Sequence, residues 1–261
     1  GNGVGTVTLP GLPLAVGEPA INPSPRSMIV AAIQDICMEL GVSGNVDVTI
    51  SIPGGEQLAL KTMNGRLGIK GGLSVLGTTG IVIPYSCSSW IHSIHRGVDV
   101  AKEQGIGHIA AATGSTSEVA IAKHYQLSDQ ALIDMGDFAG GLLKYLRKQP
   151  IERLTIAGGF GKLSKLAQGH LDLHSSRSAL DLSDLASRAK TAGADDQLCN
   201  KIRAANTGME VLTLCTEAQI PIANIIARGV REVAMATLSG GTTIDVMIYD
   251  RQGQLVGRND G

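Results

Sequence analysis

The chain has 261 residues, of which 43% are hydrophobic and 17% charged. That length suits one large domain or two ordinary ones, and the apolar share supplies a core, which excludes disorder for most of the chain. A formal net charge of −1, with one Trp, four Tyr and two Phe, excludes a dedicated nucleic-acid binder, which needs a basic surplus and aromatic stacking platforms.

Residues 4–9 alternate Val, Thr and Leu and read as a short strand. Prolines at 10, 13, 19, 23 and 25 then crowd out regular structure. A helix follows, with Ser24 as N-cap and Pro25 in its first turn. Met28, Ile29, Ala32, Ile33, Ile36, Cys37 and Leu40 recur at helical spacing, and Gly41 stops the helix. Residues 45–52 alternate through Val46, Val48, Ile50 and Ile52; Pro53-Gly54-Gly55 turns, and 56–63 returns, predicting a hairpin. Residues 1–63 therefore read as an α+β part, a helix beside a small antiparallel sheet.

A glycine-rich connector over 64–80 leads to a strand at 81–83. From there helices and apolar strands alternate. The pattern predicts a helix over 88–104 with Trp90, Ile91, Ile94, Val98 and Ala101 on one face. A strand over 106–112 and a helix over 117–126 follow. Next come a strand over 131–135, a helix capped by Asp137 and running to Lys148, and a strand over 151–157 closed by Gly158-Gly159-Phe160-Gly161. Residues 162–239 are mostly helical, and 242–249 with 254–258 form a closing hairpin. Repeated βα units predict a Rossmann-like α/β/α domain with a mostly parallel sheet over 64–261.

The four cysteines, Cys37, Cys87, Cys199 and Cys215, form no CxxC pair, so the simplest reading is reduced thiols in a cytoplasmic protein. No run approaches the roughly 20 apolar residues of a membrane span, and no signal peptide is visible. The first residue is Gly1, not methionine, as in a processed or partial chain.

Ligands of open α/β sheets sit beyond the carboxyl ends of the strands. Three loops qualify: Thr113-Gly114-Ser115-Thr116, Gly136-Asp137 and Gly158-Gly159-Phe160-Gly161-Lys162. Each is either a tight turn or a place where backbone N–H groups meet a polar ligand. A P-loop is excluded because Ile156 stands where its first glycine belongs and Leu163 follows Lys162. Ser164 occupies the third glycine position of a dinucleotide fingerprint starting at Gly159, and Thr6 that of one starting at Gly1. His170 and His174 are spaced to share a helix face, as are His92 and His95, but neither pair has a carboxylate or cysteine set to complete a metal site. Arg66, Lys70, Lys162 and Lys165 lie in or after glycine-rich loops, either as ordinary surface charge or as ligands for a polyanion.

Several longer strings occur together. They are Gly3-Val4-Gly5-Thr6-Val7-Thr8, Gly17-Glu18-Pro19-Ala20-Ile21-Asn22-Pro23 with Pro25-Arg26, and Asn64-Gly65-Arg66-Leu67-Gly68-Ile69. Gly71-Gly72-Leu73-Ser74-Val75-Leu76-Gly77-Thr78-Thr79-Gly80-Ile81-Val82 and Gly158-Gly159-Phe160-Gly161-Lys162-Leu163 complete the set. With these strings the chain resembles, over essentially its whole length, the cobalt-precorrin-5B C1-methyltransferase family of anaerobic cobalamin biosynthesis. The resemblance implies transfer of a methyl group from S-adenosylmethionine (SAM) to ring carbon C1 of cobalt-precorrin-5B, giving cobalt-precorrin-6A, with no protein-bound metal. It also implies two α+β parts, the larger C-terminal one Rossmann-like. Family members usually begin with a GYTTG-type motif and a small-residue helix; this chain starts after that point, so its first domain is expected to be incomplete. Where a Thr-His-Ser string is expected the chain has Leu173-His174-Ser175.

A substrate rimmed with carboxylates suits Arg26, Arg66, Lys162 and Lys165 as substrate contacts. The macrocycle supplies its own electrons, which agrees with the lack of a catalytic triad; proton loss assigns His174 or Asp137 as base. SAM is expected near Thr113, Gly114, Asp137, Gly158, Gly159 and Gly161. A competing reading is a non-catalytic anion- or nucleotide-binding α/β module centred on residues 158–162. An oxidoreductase acting on the tetrapyrrole is a third, weakened by the missing fingerprint. The expected partners are the tetrapyrrole substrate and, by self-association, a homo-oligomer, with no nucleic acid and no membrane.

Overall fold

The structure, a computed structural model, describes residues 1–77 and 86–261. The strand expected over 81–83 lies outside the described residues. The chain divides into two units, Gly1–Gln104 and Gly105–Gly261. The sequence places that boundary after residue 63; the difference has a physical cause. Strands β1 (Gly3–Val4) and β2 (Thr6–Val7) find their partners beyond that point, in β4 (Gly72–Leu73) and β3 (Ile69–Lys70) respectively. Val7, Ala20, Leu67, Ile69 and Val100 are buried together, so Leu67, Ile69 and Val100 belong to the core of the first unit.

Asn64 pins this arrangement. It is buried, its Nδ2 donates to the Gly72 carbonyl (3.1 Å), and its Oδ1 accepts from Ser74 Oγ (3.3 Å). Arg26 closes the Gly17–Pro23 string in the same manner. Its Nε donates to the Ile21 carbonyl (2.8 Å) and its Nη2 to that of Pro19 (3.0 Å), while Nη2 pairs with Glu18 (2.7 Å).

Helix α1 (Pro23–Leu40) starts two residues earlier than the sequence suggests, with Asn22 as N-cap. Gly41, at φ 63°, ends it in the left-handed conformation that glycine adopts without penalty. The hairpin expected over 45–63 does not form. Residues 45–52 run without regular structure, and Gly55–Ala59 is a short helix, α2. Alternation makes a strand only where a neighbour supplies a ladder; here Ile52 N–H bonds Asn2 O (2.9 Å), while Val46 and Val48 stay exposed. Helix α3 (Cys87–Glu103) is capped by Ser86 and buries Ile94, Val98, Val100 and Ala101; Trp90, expected on that face, is exposed.

The second unit carries a five-stranded sheet in the order β6-β5-β7-β8-β9. The strands are β5 (His108–Ala112), β6 (Leu132–Asp134), β7 (Arg153–Gly159), β8 (Thr243–Tyr249) and β9 (Leu255–Asn259). All neighbours are parallel except β8 and β9, the expected hairpin. Helix α4 (Ser115–Tyr125) covers one face, where Ala110, Ile121, Leu132, Ala157, Met247 and Tyr249 pack together. The alternate residues Leu154, Ile156, Val246 and Ile248 are equally buried. They point to the other face, toward α5 (Ala139–Leu146), α6 (Phe160–Ala167) and α10 (Ile222–Leu238). Helices α7 (Leu182–Thr191), α8 (Asp196–Ala204) and α9 (Gly208–Glu217) complete the helical stretch. The mixed α/β fold with a mostly parallel sheet is the class read from the alternating pattern.

Candidate active site

Adjacent parallel strands bring their carboxyl ends to one edge. Because β5 lies between β6 and β7, the three loops singled out in the sequence are spatial neighbours. Thr113 N–H continues the β5–β7 ladder to the Ala157 carbonyl (3.0 Å), and Met135 N–H reaches the Ala112 carbonyl (3.0 Å). Strand β7 runs two residues further than predicted: Gly158 and Gly159 are paired with Ile248 and Tyr249 instead of forming a loop. Helix α6 then starts directly at Phe160.

The glycines of this edge differ in kind. A Cβ on Gly158 would come within 2.6 Å of Thr113 Oγ1 and 3.0 Å of the Leu163 side chain, so packing demands glycine there. A Cβ on Gly114, Gly159 or Gly161 would meet nothing within 4 Å. Gly114 (φ 171°) and Gly159 (φ −73°, ψ 150°) also have backbones open to any residue. Neither strain nor internal packing accounts for glycine at these positions; they leave bare backbone facing open space. Helices α4 and α6 begin there with no side-chain cap, whereas α7, α8 and α9 are capped by Asp181, Asp195 and Thr207. Uncapped first-turn N–H groups face the same edge.

Asp137 does not cap α5; Phe138 takes that position. The Asp137 carbonyl accepts from Leu173 N–H (2.9 Å), and its Oδ1 lies 3.0 Å from Lys162 Nζ. That contact is an ion pair by distance without a hydrogen bond's direction, and Oδ1 is a buried acceptor with no directed donor. Lys162 Nζ also donates to the Thr113 carbonyl (2.8 Å), and Lys165 Nζ to that of Leu173 (3.1 Å).

His170 and His174 do not share a helix face, because α6 ends at Ala167 and both lie in the following loop. His174 is held by Asp172, whose Oδ1 accepts its backbone N–H (3.1 Å), and Arg177 pairs with Asp172 Oδ2 (2.8 Å). Burial opposes charge on Asp172, but these two donors outweigh it and hold its carboxyl below the usual value. His174 Nδ1 accepts from Ser176 N–H (3.2 Å). A neutral ring then carries its proton on Nε2 and presents a donor. Asp172 was not singled out in the sequence; an aspartate two residues before the bonded N–H is the signal that identifies it.

The structure thus gathers Thr113, Gly114, Asp137, Gly158, Gly159, Gly161 and Lys162 on one edge of the second unit, with Lys165 and His174 joined to it through the segment at Leu173. Arg26 and Arg66 belong to the first unit; Arg26 is committed to the oxygens described above, and Arg66 is half-buried and engaged by the protein. A groove of 1020 Å³ in the first unit runs between α1 and residues 42–50, but its lining is mostly apolar, with Arg26 and Asp47 the charged exceptions. Among the described residues no cluster of three His, Cys, Asp or Glu is placed to hold a metal ion.

A family model described as CbiD matches residues 1–84, and one described as the CbiD C-terminal domain matches residues 172–260. A protein of Bradyrhizobium sp. (strain BTAi1 / ATCC BAA-1182) named cobalt-precorrin-5B C(1)-methyltransferase is 56% identical over 259 residues, 99% of this chain and 69% of that protein. The chain belongs to the CbiD family. A CbiD relative from Burkholderia orbicola (strain MC0-3) with the same name is 56% identical over 98% of this chain and 71% of its own. The crystal structure of a cobalamin biosynthesis protein (cbiD) from Archaeoglobus fulgidus shares 30% identity, covering 68% of this chain and 54% of that one. Its TM-score of 0.28 is too low for the superposition to inform the fold.

Proposed function

We propose that this CbiD-family chain is a C-methyltransferase that methylates C1 of cobalt-precorrin-5B to give cobalt-precorrin-6A in cobalamin biosynthesis, with SAM as methyl donor, in the cytoplasm. The observation that carries the reaction is identity above half with proteins of that name along nearly the whole chain. Among the described residues no helix is long and apolar enough to cross a membrane.

The donor belongs at the carboxyl edge of the second unit. The fit rests on the buried, undirected acceptor Asp137 Oδ1, matched to a ribose hydroxyl, and on open backbone at Gly114, Gly159 and Gly161. SAM, when bound, supplies a methyl group on a sulfonium. The protein's part is to bind, orient and exclude water, so that attack geometry is set in advance. Thr113 and Gly158 pack against each other and hold the β5 and β7 ends in place. Asp137 is the candidate proton acceptor within this edge. His174 presents Nε2–H, which suits it to donate toward a substrate oxygen. Of the four candidate cations for the substrate's carboxylates, Arg26, Lys162 and Lys165 already hold protein oxygens. A bare anion-binding module gains no support here, because the Lys162 charge is met by Asp137.

The test is calorimetric titration of the 261-residue chain with S-adenosylhomocysteine (SAH), followed by turnover on cobalt-precorrin-5B. Saturable binding is expected, and Gly159→Ala should weaken it by about tenfold, roughly 1.4 kcal/mol, without loss of folding. Gly158→Ala should instead lower stability. Turnover with no SAH binding would remove the donor from this edge, and absence of both would overturn the methyltransferase reading.

A further inference from the structure

An ammonium has three N–H donors, and one poised for a substrate carboxylate turns them toward the open site. Lys162 does not. Its side chain is 41% exposed, yet Nζ is turned onto the protein, 2.8 Å from the Thr113 carbonyl and 3.0 Å from Asp137 Oδ1. Thr113 follows β5, Asp137 follows β6 and Lys162 follows β7, and these strands are neighbours in the order β6-β5-β7. One ammonium, carried by the helix that follows β7, therefore touches the loops that follow β5 and β6. Asp137 is fixed from the far side as well, by Leu173 N–H on its carbonyl. The Leu173 carbonyl is in turn held by Lys165, one turn along α6.

The geometry points to Lys162 as a positioning residue that acts through Asp137 and Thr113 to set the spacing of the β5 and β6 loops against the start of α6, and not as a ligand for the substrate's carboxylates. The inference rests on reading this edge as the SAM site. Loops joined only at their strand ends move independently. An ammonium that donates to the Thr113 carbonyl and pairs with Asp137, on the helix that follows β7, ties Gly114, Asp137 and Gly159 into one frame. The pairing also cancels the lysine charge beside a donor that itself carries a positive sulfonium.

The experiment compares SAH affinity and the KM for cobalt-precorrin-5B in the full chain and in Lys162→Met, Asp137→Asn, the double variant and Lys162→Arg. Lys162→Met is expected to weaken SAH binding by about tenfold, the scale of one charge-assisted hydrogen bond, and to leave the tetrapyrrole KM within about twofold. The double variant should bind no more weakly than the worse single one, because residues acting as one unit are non-additive. Lys162→Arg, which keeps charge and donors, should recover most of the affinity. Were Lys162→Met not to fold, Lys162→Arg and Asp137→Asn would carry the test: wild-type SAH affinity in Asp137→Asn, or a raised tetrapyrrole KM in Lys162→Arg with unchanged SAH affinity, overturns the inference. Additive losses, or a Lys162→Met effect confined to the tetrapyrrole KM, overturn it too. A wild-type chain that does not bind SAH removes the donor site, and the inference with it; wild-type binding with additive variants removes the inference alone.

Discussion

Helices α1 and α10 are almost equal in length, 18 and 17 residues, and both carry apolar side chains at helical spacing. In α10, Ile222, Ile226, Val230, Ala234 and Leu238 are buried. Gly229 lets its backbone approach α6, where an added Cβ would come within 3.1 Å of Ala167 Cβ. In α1 no residue is buried among the described residues: Ile29, Ile33 and Cys37 are half-covered, and Met38 is 74% exposed. The two units differ in the same manner. Gly105–Gly261 has strands of up to seven residues, while the paired strands of Gly1–Gln104 have two residues each. Periodicity says that a segment is amphipathic. It does not say how much surface a tertiary partner covers, and coverage is what converts an apolar face into stability.

The sharpest way to break this comparison is a core truncation in the second unit. Leu163 is fully buried between α6 and the sheet, so Leu163→Ala should cost about 2–5 kcal/mol in urea denaturation. A loss below 1 kcal/mol would mean that this core is no better packed than α1.

A smaller effect is expected at the amino end of the sheet. There His108 Nε2 lies 2.8 Å from Thr155 Oγ1, with Arg153, Tyr125 and Asp245 around it. Burial, then the Arg153 charge, holds the His108 pKa below its ordinary value, with Asp245 opposing. The unfolded chain therefore takes up this proton first. Stability is complete above the ordinary histidine value of about 6.5 and declines as pH falls below it toward the folded value. Thermal midpoints should drop between neutral pH and pH ~5.5, and His108→Asn should flatten that slope. Asp245, lowered by Arg153 and Gly261 N–H against the effect of burial, adds its own loss only in the more acidic carboxylate range.

The smallest effect sharpens the comparison from the other side. Met38→Ala on α1 should change stability by no more than about 0.5 kcal/mol in the same denaturation experiment, since little surface is re-exposed. A loss of core size would show that α1 is covered in solution.

Much of the second unit was legible in the chain. Strand 106–112, the helix ending near 126 and the closing hairpin were visible because each has its own period and its own turn residues. The three strand-end segments were picked out as candidates by the rule that ligands of open α/β sheets sit at strand ends, and the strand order makes them neighbours. The alternation over 45–52 does not produce the expected hairpin, because an unpaired extended segment shows the same alternation. In the sequence Asp137 looks like a helix cap, because its position before an apolar run is the same whether its carboxylate turns to its own helix or toward Lys162. Ser24 has the residue type of an N-cap, but Asn22 occupies that position and Pro23 opens the helix.

By itself, then, the sequence determined the alternation of strands and helices up to residue 157 and the closing hairpin of the second unit, the class of the fold and, through its long strings, the family. Those are properties of spacing and residue type along one segment. Only the tertiary structure decided that Leu67, Ile69 and Val100 join the core of the first unit, that Gly158 is a packing glycine while Gly114, Gly159 and Gly161 face open space, and that Lys162 reaches across to the ends of β5 and β6. Each depends on residues far apart in the chain meeting through strand order, which no local period encodes.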